Sequence, residues 1–165
     1  MTIPIAIFLF LHVMGAIIAF GPTFVFPIFA SRVRKTPQHA HFAAELAEFI
    51  SSRLVFPGAV LQGITGVALI LITGRDLTSS ANRWLVLAIV LYLIAIGFSA
   101  AVQSKNAAKM VQLTANMPPG PPPAGAPAGP PPEIAATGAS LARGGMFLSV
   151  LIVLIVILMV TKPAF

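Results

Sequence analysis

The chain contains no cysteine, and it has only four acidic residues against ten basic ones. The lack of cysteine excludes disulfides, thiolate metal sites and cysteine nucleophiles. Charged residues make up 8% of the sequence, whereas soluble globular domains carry roughly 25%. A chain so poor in charge cannot cover a water-exposed surface, so lipid must be its main solvent. The net charge of +6 forms no basic stripe with interleaved aromatic residues, so no nucleic-acid partner is expected.

Apolar residues, by contrast, make up 58% of the chain and fall into long runs. A run of about 20 apolar residues is enough for a helix to cross a bilayer. Backbone groups in lipid must be paired within their own segment, which favours helices. The sequence therefore predicts an all-α bundle of four transmembrane helices in a single integral membrane domain, residues 1–165. The predicted spans are 4–29, 54–73, 83–102 and 144–161.

The basic residues predict the orientation of this bundle, because Lys and Arg favour the cytoplasmic loops. Three basic residues flank the spans on one side, and seven lie in the connections 30–53 and 103–143 on the other. Both connections are therefore predicted to be cytoplasmic, with both termini outside. The seven residues are Arg32, Arg34, Lys35, Arg53, Lys105, Lys109 and Arg143, and the three are Arg75, Arg83 and Lys162.

The connection before the second span has the pattern of an amphipathic cytoplasmic helix. Thr36 suits an N-cap and Pro37 suits the first helical position. Apolar side chains then recur at helical spacing. We expect this helix to continue into the second span with a kink near Pro57, whose ring clashes with the preceding turn. The recurring apolar residues are Phe42, Leu46 and Phe49.

Other boundary signals are carried by glycine, serine and proline. Gly74 is predicted to end the second span, and Ser79 or Ser80 to begin the third. The tract 118–132 holds nine prolines in fifteen residues. Such a tract favours disorder or polyproline II, so it is predicted to be a cytoplasmic linker between spans three and four.

Four polar side chains from three spans are predicted to lie in one layer of the membrane. With a rise of 1.5 Å per residue, His12 lies roughly 12 Å below one membrane face. The same counting brings three residues of spans two and three to a similar depth. They are Gln62, Thr65 and Tyr92.

Two interpretations of this layer are open. In the structural one, His12 hydrogen-bonds to one of its three companions and fixes the helix register. In the functional one, His12 is an axial ligand to a b-type haem or part of a proton relay. A bis-histidine haem needs a second imidazole at that depth, and His39 and His41 lie on the cytoplasmic side. No separate metal site is predicted, because two histidines two residues apart point to different faces of a helix.

Arg53, at the mouth of the second span, has two interpretations of its own. Its side chain either snorkels to the headgroups, or its guanidinium holds an anionic lipid or a carboxylate such as Glu48 or Glu133. Small residues at three- or four-residue spacing predict close helix packing within the spans. They are Gly15 and Ala19 on span one, and Ala59, Gly63 and Gly66 on span two.

Three short segments carry a resemblance to a known family. They are "LHVMGAIIAFGP", "SRLVFPGAVLQGITGVALI" and "ILMVTKP". The chain resembles an uncharacterised bacterial family of predicted four-helix integral membrane proteins. It is similar in plan to the copper-resistance-D-like and protoporphyrinogen-oxidase-like membrane proteins, which share a first-span histidine and a Lys-Pro ending. The resemblance implies that the functional positions of the family correspond to His12, Arg53 and Lys162 in this sequence. Arg53 and Lys162 would be lipid or anion contacts.

The resemblance implies a multi-pass protein of the bacterial inner membrane. The haem-linked relatives would imply a b-type haem and electron transfer between a porphyrinogen and a quinone or another acceptor. The residues themselves offer no complete catalytic set, and no cofactor is assigned from them. The sequence therefore predicts an accessory or structural subunit, surrounded by lipid, that packs with other membrane subunits or with itself as a homo-oligomer. The alternative prediction is a haem- or quinone-linked oxidoreductase centred on His12.

Overall fold

The protein is a bundle of four long helices. The computed structural model describes residues 2–117 and 129–164. Within these ranges there is no strand, which confirms the all-α prediction. Each helix is long and apolar enough to cross a membrane. The helices are α1 (Ile3–Val33), α2 (Pro37–Thr73), α3 (Ser80–Ala115) and α4 (Pro132–Thr161).

Every helix contains one of the four predicted spans and extends beyond it. The amphipathic segment before the second span is the first part of α2, as predicted. The third helix continues to Ala115, and the fourth begins at Pro132. Both extensions are too polar to read as membrane spans, yet both are rich in alanine, which has the highest helix propensity. The membrane boundaries, the orientation and the cytoplasmic side stay predictions.

The proline-rich linker predicted at 118–132 lies mostly outside the described residues. Its last four residues are described, and Pro132 already occupies the first position of α4. Proline is well suited there, because the first turn of a helix leaves its N–H groups without intrahelical partners.

Two of the helices contain a π turn, a wider turn closed by a hydrogen bond between residues five apart. In α2 it spans Ser51–Val55 and ends two residues before Pro57. Proline cannot donate to the carbonyl of Arg53, and the interruption predicted there takes the form of this turn. In α3 the π turn spans Ser99–Gln103, and the hydroxyl of Ser104 also donates into it.

The helix ends follow the predicted signals at two positions. Gly74 ends α2 with φ +60°, a left-handed conformation that glycine adopts without steric cost. Ser79 is extended and occupies the position before α3, but its side chain makes no capping bond. Thr36 does precede Pro37, but its hydroxyl lies 3.4 Å from the carbonyl of Arg32 and makes no capping bond.

The helices pack as antiparallel neighbours. α1 packs along α2 and α3 along α4, while the first part of α2 packs on the last part of α3. We call the end with Ile3, Thr161 and the 74–79 loop the terminal end, and the opposite one the far end. A buried cluster lies near the terminal end, formed by Trp84, Leu85, Ala88 and Leu158.

Candidate functional site

The centre of the site is a hydrogen bond between α1 and α2. His12 Nδ1 lies 2.9 Å from the Oγ1 of Thr65, a buried residue. The same hydroxyl lies 3.1 Å from the carbonyl oxygen of Leu61 and 3.0 Å from that of Gln62. A threonine hydroxyl has a single hydrogen to donate. We assign that hydrogen to the backbone of α2, so that His12 Nδ1–H donates to Thr65 and Nε2 carries the free lone pair.

Glycines make room for these polar side chains. A Cβ at Gly66 would lie 3.3 Å from His12 Cε1, and a Cβ at Gly15 would lie 3.0 Å from Gln62 Oε1. Gln62 is 8% exposed, and its Oε1 is buried with no hydrogen-bond partner among the described residues. An unpartnered buried carbonyl oxygen is costly, and it marks a point where a donor would be stabilised.

Tyr92 lies in the same region but does not join the His12 pair. Its hydroxyl donates to the backbone carbonyl of Ala59, 2.9 Å away, and thereby ties α3 to α2. The ring lies against Gly63, where a Cβ would stand 2.5 Å from the hydroxyl oxygen. Of the predicted layer, the structure joins His12 to Thr65, whose hydroxyl also bonds to the backbone carbonyl of Gln62. Tyr92 is bonded elsewhere.

The two predicted anion-contact residues lie near opposite ends of the spans. Arg53 is exposed in the first π turn and forms no ion pair with a described carboxylate. Glu133, one of its proposed partners, instead pairs with Lys109 at 2.9 Å. At the terminal end, Lys162 Nζ lies 5.9 Å from the centre of the Trp84 ring. Lys162 is therefore engaged in a cation–π contact as well as being exposed.

A second cationic side chain contacts the same indole ring. Arg75 Cζ lies 5.7 Å from the centre of the Trp84 ring, so residues from the 74–79 loop and the end of α4 converge on it. Trp84 itself is 5% exposed. Sequence reasoning missed this arrangement, since nothing in the local pattern relates three residues so far apart.

A second histidine–threonine pair, also missed from the sequence, lies at the far end. His41 Nδ1 is 3.2 Å from Thr114 Oγ1, and His41 Nε2 is 3.3 Å from a carboxylate oxygen of Glu45. Thr114 is 1% exposed and donates to the carbonyls of its own helix. The available signal was the His–Glu spacing of four residues within one helix. Among residues 2–117 and 129–164, no group of three or more His, Cys, Asp or Glu side chains could hold a metal ion.

Comparison with known proteins agrees with this architecture. The family of predicted integral membrane proteins known as DUF2269 matches residues 6–163. No curated protein and no solved structure matches the chain. The likeness to copper-resistance-D-like and protoporphyrinogen-oxidase-like proteins, like the bacterial origin, stays a prediction. The family match covers nearly the whole chain and agrees with its four apolar helices, and the chain belongs to the DUF2269 family of predicted integral membrane proteins.

Proposed function

We propose that this protein is an accessory subunit of a bacterial inner-membrane assembly, non-catalytic by itself, which packs against other helices through the outer face of α3. The observation that carries the proposal is a small-residue pair on that face. Gly97 and Ala101 are four residues apart and both exposed, and a Cβ at Gly97 would meet nothing within 4 Å. Such a spacing allows two helix backbones to approach closely in lipid.

The contrast with three glycines that pack inside the bundle supports this interpretation. Gly15, Gly63 and Gly66 each lie against a side chain of a neighbouring helix in the same chain. Their small size is accounted for by packing within the bundle. Gly97 has no such neighbour among the described residues, and Ala101 is exposed, although a larger apolar residue would be favoured on a surface that only faces lipid. We therefore infer that another helix covers them, either from a different membrane protein or from a second copy.

The size of the complex extracted from native membranes in a mild detergent tests this proposal. The wild-type chain is expected to elute as an assembly larger than one chain, and Gly97→Leu to shift it to the single-chain mass. Val153→Leu changes an exposed apolar position on α4 and is the matched control, with no expected shift. A wild-type chain that migrates alone from native membranes would overturn the proposal.

Because the chain has no cysteine of its own, a single introduced thiol can then identify the neighbour. Ala101→Cys is expected to cross-link to a second copy or to another membrane protein, whereas Val153→Cys is not. Equal cross-linking from both positions would contradict a specific interface on α3.

A second candidate function is a b-haem- or quinone-linked oxidoreductase, favoured by the orientation of His12. A histidine that ligates iron through one ring nitrogen usually donates its other N–H to a fixed acceptor. Thr65 offers that acceptor, so His12 would be suited to hold a haem iron through its other ring nitrogen. His12 would hold the haem, which would supply one-electron transfer. A quinol hydroxyl could instead donate to the unpartnered Oε1 of Gln62.

An absorption spectrum of the detergent-purified protein distinguishes the two candidates. For the oxidoreductase, we expect a Soret band in the wild-type chain, its loss in His12→Ala, and its retention in His39→Ala. Circular dichroism of both variants controls for loss of the helices. A colourless protein purified from haem-replete cells would exclude the haem form of this second candidate.

A further inference from the structure

A groove between α3 and α4 is separate from both the His12 site and the small-residue face of α3. It is a shallow, open groove of about 360 Å³. It lies beside the second π turn. We call it the α3–α4 groove, and its lining consists of Phe98, Val102, Ser140, Arg143, Gly144 and Phe147.

The floor of the groove is apolar and firmly packed. The rings of Phe98 and Phe147 meet edge to face with their centres 4.9 Å apart. Gly144 is buried directly against the side-chain amide of Gln103, and a side chain at position 144 would collide with it. The groove therefore offers a shallow, open apolar surface along the helices, against which an acyl chain can lie.

One end of the groove is polar and positively charged. Arg143 is exposed, and its Nε–H donates to the carbonyl of Ala139 in its own helix. It forms no ion pair with any carboxylate in the described parts of the chain, whereas Lys109 is paired with Glu133. The terminal nitrogens of the guanidinium are thus available for the bidentate binding of a phosphate.

Ser140 lies beside this charge as a second donor. Its Oγ accepts a hydrogen bond from the side-chain amide of Asn106 at 3.0 Å. With its acceptor role filled in this way, the hydroxyl hydrogen of Ser140 remains to be donated. A guanidinium and a hydroxyl one turn apart at the mouth of an apolar groove match a phosphate attached to a hydrocarbon chain.

The position along α4 agrees with this chemistry. Arg143 is the last charged residue before the apolar run 144–161, which places it at the predicted boundary of the membrane, where headgroups lie. We propose that the α3–α4 groove binds an anionic phospholipid, with the phosphate on Arg143 and Ser140 and one acyl chain along Phe98 and Phe147. Charge complementarity selects this lipid class, since a zwitterionic headgroup carries a compensating cation.

Native mass spectrometry of the full chain, delipidated in neutral detergent, tests the proposal. Titration with phosphatidylglycerol is expected to give tighter binding than titration with phosphatidylcholine of the same chains. One basic residue near an anionic headgroup is worth about fivefold in affinity. Arg143→Gln should remove most of that preference, while Arg34→Gln, an exposed basic residue at the end of α1, should retain it. Equal binding of both lipids by the wild type, or an unchanged preference in Arg143→Gln, would overturn the proposal.

Binding of the acyl chain to the groove can be measured separately from binding of the phosphate. Phe147→Ala should weaken binding of long-chain phosphatidylglycerol at least threefold and leave inorganic phosphate or a very short-chain lipid unaffected. If inorganic phosphate binds Arg143 as strongly as the long-chain lipid does, the groove is a simple anion site and the lipid assignment is wrong. Circular dichroism and unfolding measurements on each variant show whether weaker lipid binding results from loss of the fold.

Discussion

Gly58 on α2 lies directly against Ala19 on α1, so closely that a Cβ at position 58 would stand 2.6 Å from the Cβ of Ala19. Ala19 is 1% exposed and belongs to the packed interface. A short, stiff side chain cannot move aside as a long flexible one can. The approach of α1 and α2 is therefore set at this point by the absence of a side chain on Gly58.

Gly58→Ala is consequently expected to destabilise the protein, by about 1–3 kcal/mol, because α1 must move away from α2. Gly21→Ala is the matched control, since a Cβ there would meet nothing within 4 Å. That control should be neutral or stabilising by up to about 1 kcal/mol, through its higher helix propensity. The measurement is the free energy of unfolding in detergent micelles. Equal effects of the two substitutions would refute the contact between Gly58 and Ala19.

The His12–Thr65 bond gives a second prediction. Thr65→Val removes the acceptor for His12 Nδ1–H and should cost about 0.6 kcal/mol, and no more than about 2 kcal/mol, as other intramembrane hydrogen bonds do. Thr73→Val is the control, because its hydroxyl bonds only to carbonyls of its own helix. Comparing the unfolding free energies of the two variants isolates the interhelical bond. A Thr73 variant that loses as much stability as the Thr65 variant would contradict this assignment.

The cation over the indole ring gives a third prediction, suited to a double-mutant cycle. Lys162→Met and Trp84→Leu each remove one partner, and the cycle measures their coupling free energy. We expect about 0.5–1 kcal/mol, as is typical for an exposed cation–π contact. The coupling should persist in high salt better than that of the exposed Lys109–Glu133 ion pair. A coupling close to zero would show that Lys162 and Trp84 are neighbours without a stabilising interaction.

Asp76 in the 74–79 loop gives a pH-dependent prediction. The Thr78 hydroxyl and then the Thr78 backbone N–H donate to its carboxylate, and these bonds lower its pKa below the ordinary value of 3.8. A folded-state pKa below the unfolded one adds stability above the ordinary pKa, and this is lost as the pH falls through the lowered value. Thr78→Val should raise the pKa of Asp76, as followed by NMR titration of the carboxyl carbon. An unchanged titration midpoint would show that the Thr78 hydroxyl does not set this pKa.

Sequence reasoning recovered the features that depend on hydropathy and on single residues. The four helices followed from the apolar runs, and the left-handed end of α2 followed from Gly74. Counting 1.5 Å per residue also brought His12 to the level of Thr65. Depth is a one-dimensional quantity, however, and it does not say which way a side chain faces around its helix. Tyr92 accordingly lies near the predicted level but bonds to the backbone of Ala59 instead of to His12.

Other features could not be predicted from the sequence, for different physical reasons. Mean hydropathy along the sequence measures only how well a segment partitions into lipid. It therefore does not reveal the polar extension of α3 that carries Thr114. The contact of Arg75 and Lys162 with Trp84 joins residues from three separate segments, and only the packing of the chain brings them together. The π turn at Ser99–Gln103 contains no proline, and no local signal distinguishes it from ordinary α-helix.

The two π turns have a consequence for how the chain tolerates insertions and deletions. Both lie between the same two cross-links, the Tyr92–Ala59 bond and the His41–Thr114 bond. One residue added to or removed from a helix rotates everything beyond it by roughly 100°. Deleting a residue from only one π turn would therefore turn His41 away from Thr114. A second deletion in the other π turn would not restore the contact, because both right-handed helices turn in the same sense and the two side chains would then point to opposite sides. The number of residues in each π turn is therefore fixed by the two cross-links on either side of it.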